Sequence, residues 1–366
     1  MSIRNVFYEI TSFHTLLIAE QHTASGKREN RERMFFYDNI EGNLLELSRL
    51  LREGKVPRVE YRSFLVYVPK VRKVIYIDYR SKVIQRAIYD ILNPRICRTF
   101  ITDTYACITG RGQLAAMKTL YRWLKGTRRS GEVWYCYKFD IAKFFYRIDH
   151  EIMIDLLRKK IDDPRAVDLI AYYIKNDTIP FGMPIDADQL TITEDEMLYG
   201  LGIPIGGGLS HMLANTYLDP LDQYAKRVLR IKKYIRYMDD IIILGTDKEH
   251  LKECGRKMAE FIAERLHLQF NNKTALRPVK CGVEFVGYRI WDDHVILRKS
   301  TTLRMKRRIR EVRELYRVRK IDMKKADQTV QSYFGMLKHC DCDRFRDKLI
   351  NEVLVFTHEG MVEPMK

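Results

Sequence analysis

Apolar and polar positions along the chain follow two periods, and the switches between them mark the elements. From Met34 to Arg52, Phe35, Ile40, Leu44, Leu47 and Leu51 recur at helical spacing and Gly54 follows as a stop, which predicts one helix. Tyr61 to Ile77 alternates instead, two strands around a basic turn with Lys70, Arg72 and Lys73 at its tip. Ser81 to Leu92 reads as a short helix closed by Asn93-Pro94. Trp134 to Asp140 is an apolar strand ending in a carboxylate, and a helix follows from about Asp149 to Ile161. Residues 176–200 are acidic and irregular and are expected to form an exposed insertion. A glycine-rich turn, Gly202 to His211, leads into a helix ending near Arg230. Two apolar, β-favouring runs then flank Met238-Asp239-Asp240 and predict strand, tight turn, strand. Downstream lie a helix over Lys248 to Leu266, a strand over Leu268 to Thr274 and a hairpin over Val283 to Tyr288. A basic helix from Lys299 carries Leu303, Met305, Ile309, Val312 and Tyr316 on one apolar face.

Composition narrows the partners. At 366 residues and 46% hydrophobic content the chain can bury a large core, divided into two or three lobes. Its formal charge of +17 calls for an anionic partner, nucleic acid or an acidic membrane surface. No apolar run is long enough to span a bilayer, no signal peptide is evident, and no amphipathic anchor presents large aromatics, so a membrane role is not expected. Seven dispersed cysteines suggest reduced thiols in a cytoplasmic protein. Cys340-Asp-Cys342 beside His339 has no second pair at zinc spacing and is expected to be ordinary thiols.

The candidate chemistry centres on oxygen donors. Asp239 and Asp240, on a turn held by two buried runs, suit a hard cation such as Mg²⁺, although Asp is also a common residue of plain turns. Asp140, at a strand end, is a third donor that could meet them across a sheet. Two divalent ions about 4 Å apart sharing carboxylates are a standard arrangement for phosphoryl transfer. Lys70 and Arg72 at a hairpin tip could clamp a triphosphate, or be solvated turn residues. Gly110, Arg111 and Gly112 before a helix favour phosphate but match neither a P-loop nor a dinucleotide fingerprint. Phe145, just past Asp140, could lie against a nucleotide sugar or pack in the core. Lys273 could protonate a departing pyrophosphate or be surface charge. Arg304, Arg307, Arg308 and Arg310 suit a duplex backbone.

In this order and spacing the motifs resemble the reverse transcriptase family, across nearly the whole chain from about residue 34. Tyr237-Met238-Asp239-Asp240 is similar to its Tyr-x-Asp-Asp box, Phe139-Asp140-Ile-Ala-Lys-Phe-Phe145 to its first metal-binding motif, Phe285-Val286-Gly287-Tyr288 to the primer grip, and Asn272-Lys273-Thr274 to the motif bearing the pyrophosphate-side Lys. The resemblance implies an α+β right-hand polymerase with fingers, a palm built on an antiparallel sheet, and a helical thumb. An N-terminal helical, basic extension would cover 1–33, fingers 34–132 and 161–203, palm 133–160 and 204–292, and thumb 293–366. It further implies two Mg²⁺ ions, with Mn²⁺ able to substitute, held by Asp140, the backbone carbonyl of Ile141, Asp239 and Asp240. Lys70, Arg72, Ile141, Phe145 and Ile205 would meet the incoming dNTP. Gly110, Arg111, Tyr237, Met238, Phe285, Gly287, Arg304, Arg307 and Arg308 would meet an RNA template or RNA/DNA hybrid.

Within the family, Ile205 stands where most members have Gln. Together with Gly206-Gly-Gly-Leu-Ser210, Asp103 to Gly112 and Ser332 to His339, it resembles the enzymes of diversity-generating retroelements, which implies error-prone copying, a structured template RNA and a small basic accessory protein. His211 departs from that group's Gln. With the acidic insertion, this leaves open an antiphage-defence enzyme using a dedicated non-coding RNA or untemplated synthesis. A non-catalytic RNA-binding scaffold is a more distant alternative.

Overall fold

A computed structural model describes residues 2–25, 31–66, 72–175, 178–188, 190–204 and 207–351, with the backbone only at Leu65, Arg72 and Lys73. The chain begins with β1 (Ile3–Arg4), α1 (Phe7–Ile10), α2 (Phe13–Ala24), α3 (Arg31–Asp38) and α4 (Ile40–Arg52). Next come β2 (Tyr61–Val66), β3 (Arg72–Ile77), α5 (Tyr79–Ile96), α6 (Gln113–Thr127), β4 (Tyr135–Asp140), α7 (Phe144–Arg147) and α8 (His150–Lys160). They are followed by β5 (Ile161–Asp162), α9 (Pro164–Ile174), α10 (Gly208–Gln223), β6 (Lys233–Tyr237), β7 (Asp240–Gly245) and α11 (Lys248–Leu266). The last are β8 (Ala275–Pro278), β9 (Val283–Phe285), β10 (Tyr288–Ile290), β11 (Val295–Leu297), α12 (Lys299–Arg317) and α13 (Met323–Leu337).

Two compact units emerge. The first comprises Met1–Gly112, Tyr137–Ile243 and Glu249–Ala275. Its helical part packs α5 against α2 and α10. Val83, Ile84, Ala87, Ile88 and Leu92 of α5 are fully buried, and α10 is buried on almost every face. β2 and β3 pair antiparallel from Tyr61–Ile77 to Val66–Arg72. The sheet that carries Asp140 and Asp240 places β6, β7 and β4 side by side in that order. Ile241, Ile242 and Ile243 of β7 are wholly buried, so its inner strands have a dry, rigid base. Gly255 lets α11 lie close to this sheet: a Cβ there would come within 2.5 Å of the Tyr137 ring.

The second unit comprises Gln113–Cys136, Leu244–Lys248 and Leu276–Lys366. β9, β10 and β11 form an antiparallel meander, with Phe285 opposite Tyr288 across the turn Val286–Gly287. Helix α12 packs on α13 around Val312 and Ala326, with Tyr316 and Ile321 against them.

Several expected boundaries move. The helix expected over 34–52 is two, because Asn39 caps α4 by accepting from the Gly42 backbone N–H. Helix α5 runs through Pro94, since Leu92, Asn93 and Ile96 are buried and packing outweighs the lost backbone donor. The strand expected over 268–274 reduces to one bridge, Phe270 with Ile141, and pairing resumes at Ala275. An Asx-type turn at Asn271 accounts for the break. Leu303 is 57% exposed, off the apolar face assigned to it, because the stripe that buries Thr301, Met305, Ile309 and Val312 leaves position 303 on the far side. The acidic segment is exposed at Asp186, Asp188 and Glu194 to Glu196, but Phe181 and Met183 are buried. All seven cysteines are free thiols. No described helix is long and apolar enough to cross a membrane.

Candidate active site

Neighbouring strands deliver the carboxylates. Asp140 is the last residue of β4, Asp240 the first of β7, and Met238 and Asp239 form the two-residue turn that joins β6 to β7. All three aspartates are half-buried. Lys138 Nζ lies 2.8 Å from Asp240 Oδ2. Residues two apart on a strand share a face, so Lys138 and Asp140 leave β4 on the same side.

Asn271 holds Asp140 twice. Its backbone N–H donates to the Asp140 carbonyl at 2.8 Å, and its Nδ2 donates to Asp140 Oδ2. Its Oδ1 accepts from the Lys273 backbone N–H at 2.8 Å. One side chain therefore ties the Asp140 carboxylate to the loop carrying the exposed Lys273.

Beneath the turn lies a buried ion pair. Arg236 and Asp222 are both fully buried; Arg236 Nη2 and Nε donate to the two Asp222 oxygens at 2.6 and 2.8 Å. Asp222 also accepts from Tyr234 Oη at 2.6 Å and Thr104 Oγ1 at 2.7 Å. Arg236 Nη1 reaches both Asn215 Oδ1 and the Met238 carbonyl, each at 3.1 Å. Burial alone would lower the guanidinium pKa, but the Asp222 charge and hydrogen bonds outweigh it and hold Arg236 above its ordinary value.

Among the described residues no three His, Cys, Asp or Glu side chains form a ready-made cage for an ion. Mg²⁺ does not need one, since it binds through one or two carboxylates and completes its shell with water and phosphate oxygens. Half-buried carboxylates on a rigid sheet end, steadied by Asn271 and Lys138, fit that donor chemistry.

The other expected residues fall as follows. The Ile141 side chain is buried and its backbone bridges Phe270. Phe145 is half-buried, its ring 5.4 Å from that of Phe144 and 6.2 Å from His211, which meets it edge-on at 80°. Burial pushes the His211 imidazole pKa down. Lys70 and Ile205 lie outside the described residues, and Arg72 is placed by its backbone alone, paired with Val66. Tyr237 is half-buried and Met238 holds a left-handed φ of 55°. Gly110 has φ 76°, and Arg111 Nη1 donates to the Ile101 and Thr104 carbonyls at 2.7 and 3.1 Å, bracing its own loop. A groove of about 460 Å³, lined in part by Phe64, Gln85, Arg86, Tyr89, Gly207 and Gly208, opens beside the α10 start. In the second unit Phe285 is buried, Gly287 has φ 87°, and Arg304, Arg307 and Arg308 are exposed on α12. Arg308 pairs with Glu311 at 2.8 Å.

Sequence reasoning missed Lys138, Asn271, Asp222 and Arg236. A charged residue inside an apolar strand was the available signal for Lys138 and Arg236. Nothing in the sequence marked Asn271.

Residues 68–290 match the model of the family Reverse transcriptase (RNA-dependent DNA polymerase). The chain belongs to the reverse transcriptase family, whose fold is the right-hand polymerase. It is similar to Protein YkfC of Escherichia coli (strain K12), 24% identical over 262 residues that cover 62% of this chain and 65% of that protein. It is also similar to the Group II intron-encoded protein LtrA of Lactococcus lactis subsp. cremoris, 31% identical over 163 residues, 44% of this chain and 24% of that one. The chain thus spans less than two thirds of either relative's length. Among solved structures, apo telomerase from Candida tropicalis superposes with a TM-score of 0.49 at 11% identity, over 88% of this chain and 67% of that one.

Proposed function

We propose that the protein is an RNA-directed DNA polymerase that makes cDNA from an RNA template by two-metal nucleotidyl transfer. The observation that carries this is the delivery of Asp140 and the Asp239–Asp240 turn by neighbouring strands of one buried sheet. Asp140, the Ile141 carbonyl, Asp239 and Asp240 would hold Mg²⁺, which would supply charge neutralisation at the reacting phosphate and activation of the primer 3′-hydroxyl. Asn271 keeps the Asp140 carboxylate in one orientation. Lys273 stands on the loop tied to it and would give a proton to the leaving pyrophosphate. Phe145 lies against the sugar of the incoming dNTP, and Lys70 and Arg72 take its triphosphate. Catalysis is then mainly positioning and electrostatics. Fingers would span 34–132 and 161–203, palm 133–160 and 204–292, and thumb 293–366.

The finer reading is an error-prone enzyme of the diversity-generating type, working with a structured RNA and a small basic protein. Ile205 supports it, because an aliphatic side chain cannot make the hydrogen bonds a Gln would offer near the nascent base pair. The test is primer extension on an RNA template with Mg²⁺ and each dNTP, beside Asp239→Asn/Asp240→Asn and Ile205→Gln, with all products sequenced. Templated cDNA from the parent but not from the double Asn variant is expected, with errors at template adenines that fall in Ile205→Gln. Faithful cDNA would remove the mutagenic role. Repetitive or untemplated products would favour the defence reading, which His211 and the acidic segment leave in view.

A further inference from the structure

A buried ion pair stabilises little relative to an apolar pair of the same volume, so its presence under a turn points to a use other than stability. Arg236 and Asp222 are such a pair, each with no exposed side-chain surface. The Arg236 fork makes four hydrogen bonds: Nε and Nη2 go to Asp222, and Nη1 is shared between Asn215 and the Met238 carbonyl. Asp222 is held in turn by Tyr234 and Thr104, and Asn215 by the Ala106 carbonyl, to which its Nδ2 donates at 2.8 Å. The backbone is fastened as well, since Arg236 N–H donates to the Asp103 carbonyl and Tyr105 N–H to that of Arg236. Within the turn this assembly grips the carbonyl immediately before Asp239. Met238 there holds a left-handed φ of 55°, which a side-chain-bearing residue keeps only when its surroundings impose it.

We infer that Asp222 and Arg236 are positioning residues: through the Met238 carbonyl they set the turn that aims Asp239 at the metal site. The inference rests on the polymerase reading. A guanidinium is suited to the task because its planar fork fixes two partners at once, whereas an ammonium has no fixed geometry.

The test uses the full-length chain with Arg236→Lys, Asp222→Asn and Asn215→Ala. Two quantities are read: the Mn²⁺ half-saturation by electron paramagnetic resonance without nucleic acid, and kcat and KM for dNTP in primer extension. Folding is checked by circular dichroism. For folded Arg236→Lys or Asp222→Asn, kcat falls and the Mn²⁺ midpoint rises, either by about 10- to 100-fold, while KM for dNTP stays within about twofold. Asn215→Ala leaves the ion pair in place and moves both quantities the same way by a smaller factor, so it decides the matter if the other two do not fold. Folded variants with the parent's Mn²⁺ midpoint and kcat overturn the inference. If the parent extends no primer, the polymerase reading falls, and the Mn²⁺ midpoints still decide the positioning role.

Discussion

Lys138 Nζ stands 2.8 Å from Asp240 Oδ2, so one of the three site carboxylates already has a protein cation beside it. The two side chains are 28% and 26% exposed, and the pair contributes about 1 kcal/mol at most to the metal-free protein. On the proposed reading its greater effect is on ion binding, because a fixed positive charge opposes a divalent cation nearby. Lys138→Met is expected to melt earlier than the parent without metal and to reach half of its Mg²⁺-induced stabilisation at a lower Mg²⁺ concentration. A melting titration with Mg²⁺ measures both. An unchanged midpoint would remove Lys138 from the electrostatics of the site.

The carboxylates were legible in the sequence because their signal is local: two acids between two apolar runs, and one acid at the end of a third. The helices and hairpins were legible for the same reason, as periodicity needs only neighbours along the chain. What could not be read is what the fold brings together from afar. Asn271 lies 131 positions from Asp140, and no local pattern distinguishes it from an ordinary turn Asn. Arg236 was a visible anomaly, a charge inside a buried strand, but its partner Asp222 sits on a helix whose pattern gave no reason to choose it. Leu303 shows the opposite error, an apolar residue assigned to a face that helix geometry denies it.

Phe145 and His211 pack together, so the sugar contact proposed for Phe145 is a two-residue matter. The His211 ring meets Phe145 edge-on, and burial holds its imidazole pKa below the ordinary value, so near neutral pH it packs as an uncharged ring. Phe145→Ala is expected to admit ribonucleotides, raising the ratio of rNTP to dNTP kcat/KM by about 10-fold or more, the range that one lost apolar contact commands. His211→Ala should move the ratio the same way by less, because Phe145 remains but loses its lateral support. Single-nucleotide incorporation with paired rNTP and dNTP gives both numbers. Continued exclusion of rNTP by Phe145→Ala would end the assignment of that ring to the sugar.

His150 is expected to make its contacts with Gly200 and Gly202 sensitive to acid. Its Nε2 is 2.7 Å from the Gly202 carbonyl, and its backbone N–H donates to Gly200. Burial lowers its pKa more than the Gly202 hydrogen bond raises it. The neutral ring therefore belongs to the folded state and the protonated ring is favoured on unfolding. Its contribution is complete above the unfolded value of about 6.5 and is lost as pH falls toward the lower folded value. His211 adds to the effect with the same sign. Melting temperature is expected to drop between pH 7.5 and 5.5, and His150→Gln should flatten that drop while lowering stability at pH 7.5. A variant with the parent's pH dependence would show that the acid sensitivity lies elsewhere.

Helix α12 offers a test of the proposed nucleic-acid contacts. Arg304, Arg307 and Arg308 are exposed, while Thr301, Met305, Ile309 and Val312 are buried, so the arginines can change without removing a buried side chain. If each neutralises a phosphate of an RNA/DNA hybrid, replacing one with Gln lowers the slope of log affinity against log salt by about one, whatever the hybrid's sequence. Arg308 is expected to show the smallest change, because Glu311 already lies 2.8 Å away and must be given up on binding. Fluorescence anisotropy with a labelled hybrid at several salt concentrations supplies the slopes. Equal slopes for the parent and Arg304→Gln/Arg307→Gln would mean that α12 faces solvent, and that the hybrid is held by other basic residues of the chain.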